Sequence, residues 1–305
     1  MPNSACCLEN DMSFLPDHAL DHLRGVTGIP DLSATRYQVE EEIGRGGMGI
    51  VYRAWDCQLE RHVALKVMDA GYALNQEARL LAQLEHPGVA PVYDAGTLPD
   101  NRVYYAMRLI QGRRLDEFLG DESSLPARLR IFEKICEAVA FAHNRGVIHC
   151  DLKPHNVMVG DFGEVFVVDW GVARAIAGST LPTAGTPGYM APEQSDPREG
   201  KMDARTDVFA LGRILQDLMP PAPPRPLAAI ARKAAAPDPP DRFPNVQQLA
   251  GDVNRFLDGL PVTAYRETVV ERCLRFWRRN QVLLLLLSAY LAVKLLLFFL
   301  APALK

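Results

Sequence analysis

The segment VIHCDLKPHNV, residues 147–157, contains three polar side chains of the kinds that phosphoryl transfer requires. They are Asp151, Lys153 and Asn156, and they follow directly after Cys150. An Asp-x-Lys pair on its own is usually a charge pair on a protein surface. A phosphoryl-transfer interpretation therefore needs a phosphate-binding segment elsewhere in the chain.

Such a segment is indicated by IGRGGMGIV, residues 43–51, where glycines allow a hairpin backbone to approach phosphate groups with no Cβ atom in the way. The glycines are Gly44, Gly46 and Gly49. This spacing is weak by itself, since it also occurs at the strand-to-helix turn of dinucleotide-binding folds. Here a strand follows the glycines, which excludes the dinucleotide-binding fold.

Lys66 and Glu77 are predicted to form an ion pair. Lys66 lies in VALK on the third predicted strand, and Glu77 lies on the apolar stripe of the next predicted helix, where a carboxylate needs a cation. The pair would aim the Lys66 ammonium group at the α and β phosphates of a nucleotide. Taken alone, Lys66 would be an ordinary lysine at the edge of a strand.

The elements that must position these groups fall into two parts. An antiparallel meander of strands, with one helix inserted, is followed beyond Ser124 by the apolar spacing of helices. The proline-rich segment 220–226 cannot continue a helix. We therefore expect an α+β fold with two lobes that meet near residues 108–112 and a cleft between them. The predicted strands are 36–44, 50–56, 62–68, 90–96 and 102–110, and the predicted helices are 75–87, 127–146, 207–219 and 244–259.

Composition excludes several classes of protein. A chain of 305 residues with 48% hydrophobic and 23% charged residues is ordinary for a globular protein. The formal net charge of -4 gives no basic surface for nucleic acid. The six cysteines contain no CxxC pair, so they predict neither a metal site nor a disulfide framework, and they suit a reducing cytosol. Residues 1–36 read as an extension without a secretory signal.

The C-terminal region predicts a membrane span. From Val282 to Leu300 only Ser288 and Lys294 are not apolar, so we expect a transmembrane helix at 282–301 and a short tail at 302–305. The arginine-rich segment 259–281 before it places the preceding domain in the cytoplasm. The alternatives are a buried core helix, the seam of a homodimer, or a helix lying in the membrane interface. A lysine in mid-span costs about 3 kcal/mol, so Lys294 should face a partner helix or water.

Several motifs occur together in one order: GRGGMGIV, VALK, HCDLKPHNV, DWG, GTPGYMAPE, DVFALG and DRF. Over residues 37–258 the chain resembles Hanks-type protein serine/threonine kinases, most closely the bacterial membrane-attached kind. The resemblance implies a bilobal kinase fold with a β-rich first lobe and a helical second lobe. It also implies ATP-dependent phosphorylation of protein serine and threonine hydroxyls, autophosphorylation included, in signalling at the inner membrane, with ATP and Mg²⁺ or Mn²⁺ as cofactors.

The resemblance assigns catalytic roles to residues in matching positions. Asp151 would accept or orient the proton of the substrate hydroxyl, and Lys153 would steady the γ-phosphate. Asn156 and Asp169 would hold the metal ions. Thr186 would hydrogen-bond to Asp151 and Lys153, as in serine/threonine-directed members.

The resemblance also assigns nucleotide-binding and bracing roles. Val51 and Ala64 would enclose the adenine, and Met107 would line the back of its pocket. The backbone of Arg108 and of Ile110 would hydrogen-bond to the base. Two further contacts are implied: Glu193 would pair with Arg242, and Asp207 would brace the backbone of the catalytic loop. The histidines His86, His143, His149 and His155 are interpreted as packing and hydrogen-bonding residues rather than bases or ligands.

The chain departs from the family pattern at four places. Cys150 stands where many members have an arginine that reads a phosphorylated activation loop, and a neutral thiol cannot pair with phosphate in that way. Trp170 replaces a phenylalanine, the spacing from Lys66 to Glu77 is short, and segment 220–226 replaces a substrate-docking helix. We expect the chemistry to survive without this phosphate switch, with constitutive or partner-gated activity. The alternatives are a nucleotide-binding pseudokinase scaffold at the membrane and a small-molecule phosphotransferase.

Overall fold

The computed structural model describes residues 30–46, 49–68, 81–118, 124–170, 174–175, 185–195 and 202–300, without the side chains of residues 274, 278–279, 283–284 and 295–300. These residues form two lobes. Strands dominate up to Arg108, and helices dominate beyond it. This is the α+β, two-lobed arrangement predicted from the sequence.

The first lobe is an antiparallel sheet of five strands: β1 (Tyr37–Gly46), β2 (Gly49–Asp56), β3 (Arg61–Met68), β4 (Val92–Thr97) and β5 (Val103–Arg108). The strand order is β1-β2-β3-β5-β4. Alternate residues of β2 are buried, whereas β3 at the centre is buried continuously from Val63 to Met68. Leu32, which precedes β1, packs into the same apolar core. The central strand therefore holds Lys66 in a rigid position.

In the described part of the second lobe there are six helices: α1 (Leu115–Phe118), α2 (Leu125–Asn144), α3 (Pro192–Ser195), α4 (Ala204–Leu218), α5 (Arg225–Ala234) and α6 (Val246–Leu257). Phe132 of α2 and Leu211 of α4 are fully buried in one continuous core. The Ser124 hydroxyl accepts the Ala127 N–H at the start of α2, and the Asp203 carboxylate caps α4 in the same way. Packing and caps together fix the two helices that carry the loops of the site.

Short strands frame the segment with the candidate catalytic residues. They are β6 (Gly112–Arg114), β7 (Val147–Ile148), β8 (Val157–Gly160), β9 (Val165–Val167) and β10 (Arg174–Ala175). One small sheet has the order β6-β8-β9, and β7 pairs with β10. Residues 149–156 therefore lie between two anchored strands. The Val167 N–H also donates to the Gly88 carbonyl at 2.8 Å, which ties this region to the segment before β4.

Two predicted helix boundaries are corrected by the structure. The helix predicted at 75–87 ends earlier, because within its described part only residues 81–83 are helical. Segment 220–226 does separate helices, since α4 ends at Leu218, but α5 begins inside it at Arg225. Proline is tolerated in the first turn of a helix, where its missing N–H has no intrahelical partner to lose. Proline at this position thus marks a helix start that was absent from the prediction.

Two further helices follow, α7 (Val269–Arg279) and α8 (Gln281–Leu300). Thr268 and Glu271 form a reciprocal capping box at the start of α7. The Lys294 ammonium lies 5.4 Å from the centre of the Tyr290 ring on the preceding turn of α8. Across the described residues, none of the helices combines the length and the apolarity of a membrane span. The transmembrane helix predicted at 282–301 is therefore not shown.

Candidate active site

Asp151 lies at the centre of a compact hydrogen-bonded group. The Lys153 ammonium donates to Asp151 Oδ2 at 2.8 Å and to Thr186 Oγ1 at 2.7 Å. The Thr186 hydroxyl donates in turn to Asp151 Oδ1 at 2.8 Å. Thr186 belongs to a segment distant in sequence, so this triangle joins two separate loops. It places a carboxylate, an ammonium group and a hydroxyl where a substrate hydroxyl could be held.

Asn156 joins the same group from the other side. Its amide Nδ2 donates to the Asp151 carbonyl at 2.8 Å and to Asp151 Oδ2 at 3.3 Å. Asn156 is buried and lies in a 3-10 turn, Pro154–Asn156, which leads directly into β8. Because the amide nitrogen donates to Asp151, the Oδ1 atom is the part of the side chain that can ligate a cation.

The loop has an unusual backbone at Cys150, whose φ is 66°. This left-handed conformation costs a residue other than glycine about 1–2 kcal/mol. Asp207 of α4 offsets that cost, because its carboxylate accepts the N–H of His149 at 2.8 Å and of Cys150 at 2.9 Å. The bracing contact implied by the resemblance is therefore present. His143 also lies 2.7 Å from Asp207 Oδ2.

Asp207 remains ionised despite its surroundings. Burial opposes ionisation, but the hydrogen bond and charge of His143 and the N–H of His149 outweigh it and hold the pKa of Asp207 below its ordinary value. The charged form accepts hydrogen bonds more strongly than a neutral acceptor does. The fixed shape of residues 149–151 thus depends on one buried carboxylate.

His149 serves the loop as a packing and hydrogen-bonding residue. It is fully buried, its Nδ1 accepts the Asp151 N–H at 3.3 Å, and its Nε2 lies 3.2 Å from the Val168 carbonyl. Its ring centre is 4.6 Å from that of Trp170. The Trp170 indole N–H donates to the Val167 carbonyl at 3.0 Å, so the larger ring is accommodated without an unpaired donor.

Lys66 and Asp169 connect the two lobes. The Lys66 ammonium donates to Asp169 Oδ1 at 3.0 Å, and Lys66 is only 5% exposed. Burial alone would raise the pKa of Asp169, but the nearby Lys66 ammonium outweighs it and lowers that pKa. Asp169 also has a left-handed backbone, with a φ of 61°. Glu77, the predicted partner of Lys66, lies outside the described residues, and that ion pair stays a prediction.

The predicted nucleotide-binding residues lie on adjacent strands. Val51 of β2 pairs in register with Lys66, and Ala64 of β3 pairs with Met107 of β5. Arg108 ends β5, and its N–H donates to the Pro91 carbonyl at 3.1 Å. Ile110 follows in the connection to the second lobe and is partly buried. Five of the predicted residues therefore lie on three neighbouring strands, and the sixth, Ile110, follows the last of these strands.

The glycine-rich hairpin closes the same side. Gly44 pairs with Val51, and Gly46 pairs with Gly49 across the turn. Gly49 has a φ of 137°, and a Cβ atom there would lie 2.3 Å from the Val67 carbonyl oxygen. Only glycine fits this position without a shift of the backbone. The three glycines thus lie on the β1–β2 strand pair, which also carries Val51.

A buried ion pair holds the segment that follows Thr186. Arg242 donates to Glu193 Oε1 at 2.7 Å and to Oε2 at 2.8 Å, and both side chains are almost completely buried. Arg242 also donates to the carbonyls of Arg205, Ala236 and Pro237. Burial opposes ionisation of Glu193, yet its hydrogen bonds with Arg242 lower its pKa. The predicted pair is therefore present.

Gln194 is a buried polar contact that the sequence analysis does not single out. Its amide Nε2 donates to the Cys150 carbonyl at 2.7 Å. No periodic or spacing signal links residues so far apart in sequence. The remaining predicted histidines make polar contacts: His86 Nδ1 accepts the Gly88 N–H, and His155 Nε2 lies 3.3 Å from Asp116 Oδ2.

Comparison with known proteins gives one family and a consistent group of relatives. Residues 37–260 match the family model described as "Protein kinase domain". The chain is 33% identical to the serine/threonine-protein kinase PknD of Chlamydia trachomatis serovar L2b, over 82% of this chain and 34% of the relative. The PknD proteins of Chlamydia felis and Protochlamydia amoebophila are 32% and 30% identical, over 82% and 76% of this chain. The chain spans about a third of the length of these relatives.

Proposed function

Because the chain belongs to the protein kinase domain family, we propose that it transfers the γ-phosphoryl group of ATP to serine and threonine hydroxyls of proteins, itself included. The observation that carries this proposal is the hydrogen-bonded group around Asp151. Asp151, Lys153 and Asn156 lie in one loop, Thr186 comes from a segment distant in sequence, and each of the other three side chains lies within 3.3 Å of the Asp151 carboxylate. A surface charge pair would not recruit a buried amide from its own loop and a hydroxyl from a distant segment.

The reaction requires one P–O bond to form and one to break. The oxygen of the substrate hydroxyl attacks the γ-phosphorus, Asp151 takes up the hydroxyl proton, and the bond from the γ-phosphorus to the bridging oxygen of ADP breaks. Lys153 lies beside Asp151, where its positive charge can stabilise the transferring group. Thr186 holds both side chains and so positions the loop that receives the substrate hydroxyl.

The donor set fits Mg²⁺ or Mn²⁺. Magnesium is usually held by one or two carboxylates together with substrate phosphates, rather than by a cage of protein ligands. Asp169 supplies a carboxylate whose lowered pKa keeps it charged, and Asn156 supplies an amide oxygen. Within the described part of the chain no cluster of three or more His, Cys, Asp or Glu offers a separate metal site. When bound, the metal ions would neutralise charge on the phosphate oxygens.

Strands β2, β3 and β5 would bind the nucleotide. Val51 and Ala64 provide small apolar surfaces for the adenine, and Met107 lies beside Ala64 in register. The backbone of Arg108 and Ile110 would hydrogen-bond to the base. Lys66 is buried next to Asp169, so the Lys66 ammonium and the Asp169 carboxylate would act on the same bound triphosphate.

The test is transfer of labelled γ-phosphate from ATP to the chain itself and to a generic basic protein. Loss of the base in Asp151→Asn should lower the transfer rate by about 10²–10⁴-fold, while ATP binding persists. Lys66→Met should lower transfer and weaken ATP binding together. A pseudokinase scaffold would bind ATP and transfer nothing in the wild type, and a small-molecule phosphotransferase would leave all protein unlabelled.

The proposal extends to location at the cytoplasmic face of the inner membrane. The side chains of Leu285, Leu286 and Leu291 on α8 are more than half exposed, and exposed apolar patches mark interaction surfaces. Arg272, which is exposed on α7, would face anionic headgroups. After cell fractionation we expect the full chain in the membrane pellet, resistant to alkaline carbonate and released by detergent. Carbonate release would indicate an interfacial helix, and recovery in the supernatant would contradict membrane attachment.

A paired variant sharpens this location test. Leu285→Lys combined with Leu286→Lys should move the chain toward the supernatant, because each buried charge opposes insertion by about 3 kcal/mol. Substitution of exposed Leu59, between β2 and β3 of the first lobe, by lysine is the matched control and should leave the distribution unchanged. The same variant tests for a homodimer in detergent solution. If the wild type sediments as a dimer and the double lysine variant as a monomer, the homodimer seam lies on α8.

A further inference from the structure

The Cys150–Asp151 peptide unit is held at both ends. Its carbonyl oxygen, on Cys150, accepts the Gln194 amide N–H at 2.7 Å. Its N–H, on Asp151, donates to His149 Nδ1 at 3.3 Å. Rotation of this peptide plane would turn the Asp151 backbone away from its present direction. The orientation of the candidate base is therefore tied to Gln194.

Gln194 is itself fixed in a buried site. It is 2% exposed, and its Oε1 accepts the Ala191 N–H at 3.0 Å while its Nε2 donates to Cys150. It follows Glu193, whose ion pair with Arg242 anchors the same short helix, α3. Both polar ends of the Gln194 amide are thus engaged, one with its own segment and one with the catalytic loop.

The preceding peptide unit, between His149 and Cys150, is held by the charged carboxylate of Asp207. Asp207 accepts the Cys150 N–H at 2.9 Å, so Cys150 has its N–H fixed from α4 and its carbonyl fixed from α3. A left-handed residue other than glycine persists only where its surroundings determine it strongly. Cys150 meets that condition through two partners, Asp207 on α4 and Gln194 on α3.

Residue 150 cannot make the phosphate contact that an arginine could make. The Cys150 side chain is a neutral thiol, 4% exposed, with Sγ 3.9 Å from the Ile148 carbonyl. The contact from Gln194 is between neutral groups and needs no modified residue. It joins the segment after Thr186 to the catalytic loop in the unmodified chain.

We infer that Gln194 is a positioning residue that holds the catalytic loop in its transfer geometry without a phosphate on the activation segment. This inference rests on the kinase function proposed above and adds the means by which the loop is set. Removal of the amide donor should slow transfer by releasing the Cys150–Asp151 peptide. ATP binding should change little, because the residues proposed to bind the adenine lie on β2, β3 and β5 and in the connection after β5, outside the catalytic loop.

The first pair of variants is Gln194→Met and Gln194→Glu. Methionine removes both hydrogen bonds at similar volume, and glutamate keeps the acceptor for the Ala191 N–H but loses the donor to Cys150. Both should lower kcat about tenfold or more, with KM for ATP within about twofold of the wild type. Gln247→Glu, on an exposed position of α6, is the matched control and should leave both constants unchanged.

Gln194→Glu offers a readout that general damage to the fold would not produce. A protonated glutamate can donate its O–H to the Cys150 carbonyl, and burial favours the protonated form. The kcat of this variant relative to the wild type should therefore rise as pH falls. Hydrogen exchange at residues 149–156 should also be faster in both variants at neutral pH, with the rest of the second lobe protected.

The outcomes separate this inference from the function on which it rests. Phosphatase-treated wild type should retain its kcat, and a large loss on that treatment would overturn the inference while leaving the kinase function standing. Active Gln194 variants with the wild-type kcat and exchange pattern would overturn it too. If Gln194→Met fails to fold, the pH profile of Gln194→Glu decides, and a flat ratio counts against the inference. A wild type that transfers no phosphate removes the proposed function and the inference together.

Discussion

Replacement of Asp207 by asparagine tests the support of the catalytic loop. Oδ2 of Asp207 accepts from His149 and lies 2.7 Å from His143, whereas among the described residues Oδ1 accepts only the Cys150 N–H. An asparagine would keep the first two contacts by placing its carbonyl oxygen at the position of Oδ2. Its NH₂ group would then face the Cys150 N–H, and two donors cannot bond to each other.

The cost follows from those contacts. The buried Cys150 N–H loses its charged acceptor and is left without a partner, which costs about 1.5–3 kcal/mol. Removal of a buried charge recovers part of this, so we expect the free energy of unfolding to fall by about 2 kcal/mol. A domain of ordinary stability, about 5–15 kcal/mol, still folds after such a loss.

The assay combines urea unfolding at neutral pH, hydrogen exchange and phosphate transfer. Exchange of the Cys150 amide should accelerate, and transfer should fall because the strained loop relaxes. Asp217→Asn on the same helix is the control, since Asp217 is exposed and its asparagine can still accept the Tyr189 hydroxyl. An Asp207→Asn protein within about 0.5 kcal/mol of the wild type, with unchanged exchange at Cys150, would refute the reasoning.

Three other predictions follow from the same structure. Asp207 and Asp169 have lowered pKa values in the folded chain. The stability that the two charged carboxylates contribute is therefore complete above the pKa of an unfolded aspartate, about 3.9, and is lost as pH falls below it. Urea midpoints should fall in that acidic range, and midpoints that do not change with pH would contradict this. Arg242→Ala leaves the buried Glu193 carboxylate without its cation and should cost about 3–5 kcal/mol, with Arg242→Lys between it and the wild type in thermal unfolding. Gly49→Ala should raise KM for ATP, because its Cβ would lie 2.3 Å from a carbonyl oxygen of β3 and displace the hairpin; an unchanged KM would argue against a role of this hairpin in nucleotide binding.

Local patterns were sufficient to predict most of the fold. Strand β3 reads as a continuous apolar run and is the buried centre of its sheet, and α2 ends close to Gly146 as its spacing predicts. The start of α5 was missed because Pro226 was interpreted as a helix breaker, although proline suits the first turn. Proline does break a helix interior, but the sequence alone did not show that Pro226 lies in the first turn of a helix.

The contacts of the site were likewise predictable only in part. Ordered motifs predicted the members of the Asp151 group and the Glu193–Arg242 pair, since the family resemblance supplies their roles. Contacts of Gln194 could not be predicted, because the distance from residue 194 to residue 150 depends on how α3 packs beside the loop. Glu77 lies outside the described residues, and the prediction of its ion pair with Lys66 stands untested.

The central claim is that the glycine-rich hairpin, Lys66, Asn156 and Asp169 converge on one triphosphate. It is tested most directly by a crystal structure of the chain with a non-hydrolysable ATP analogue and Mg²⁺. We expect Asp169 and Asn156 Oδ1 to ligate the metal, Lys66 to contact the α and β phosphates, and Asp151 to face the γ-phosphate. A triphosphate bound beyond the reach of these side chains would contradict the account.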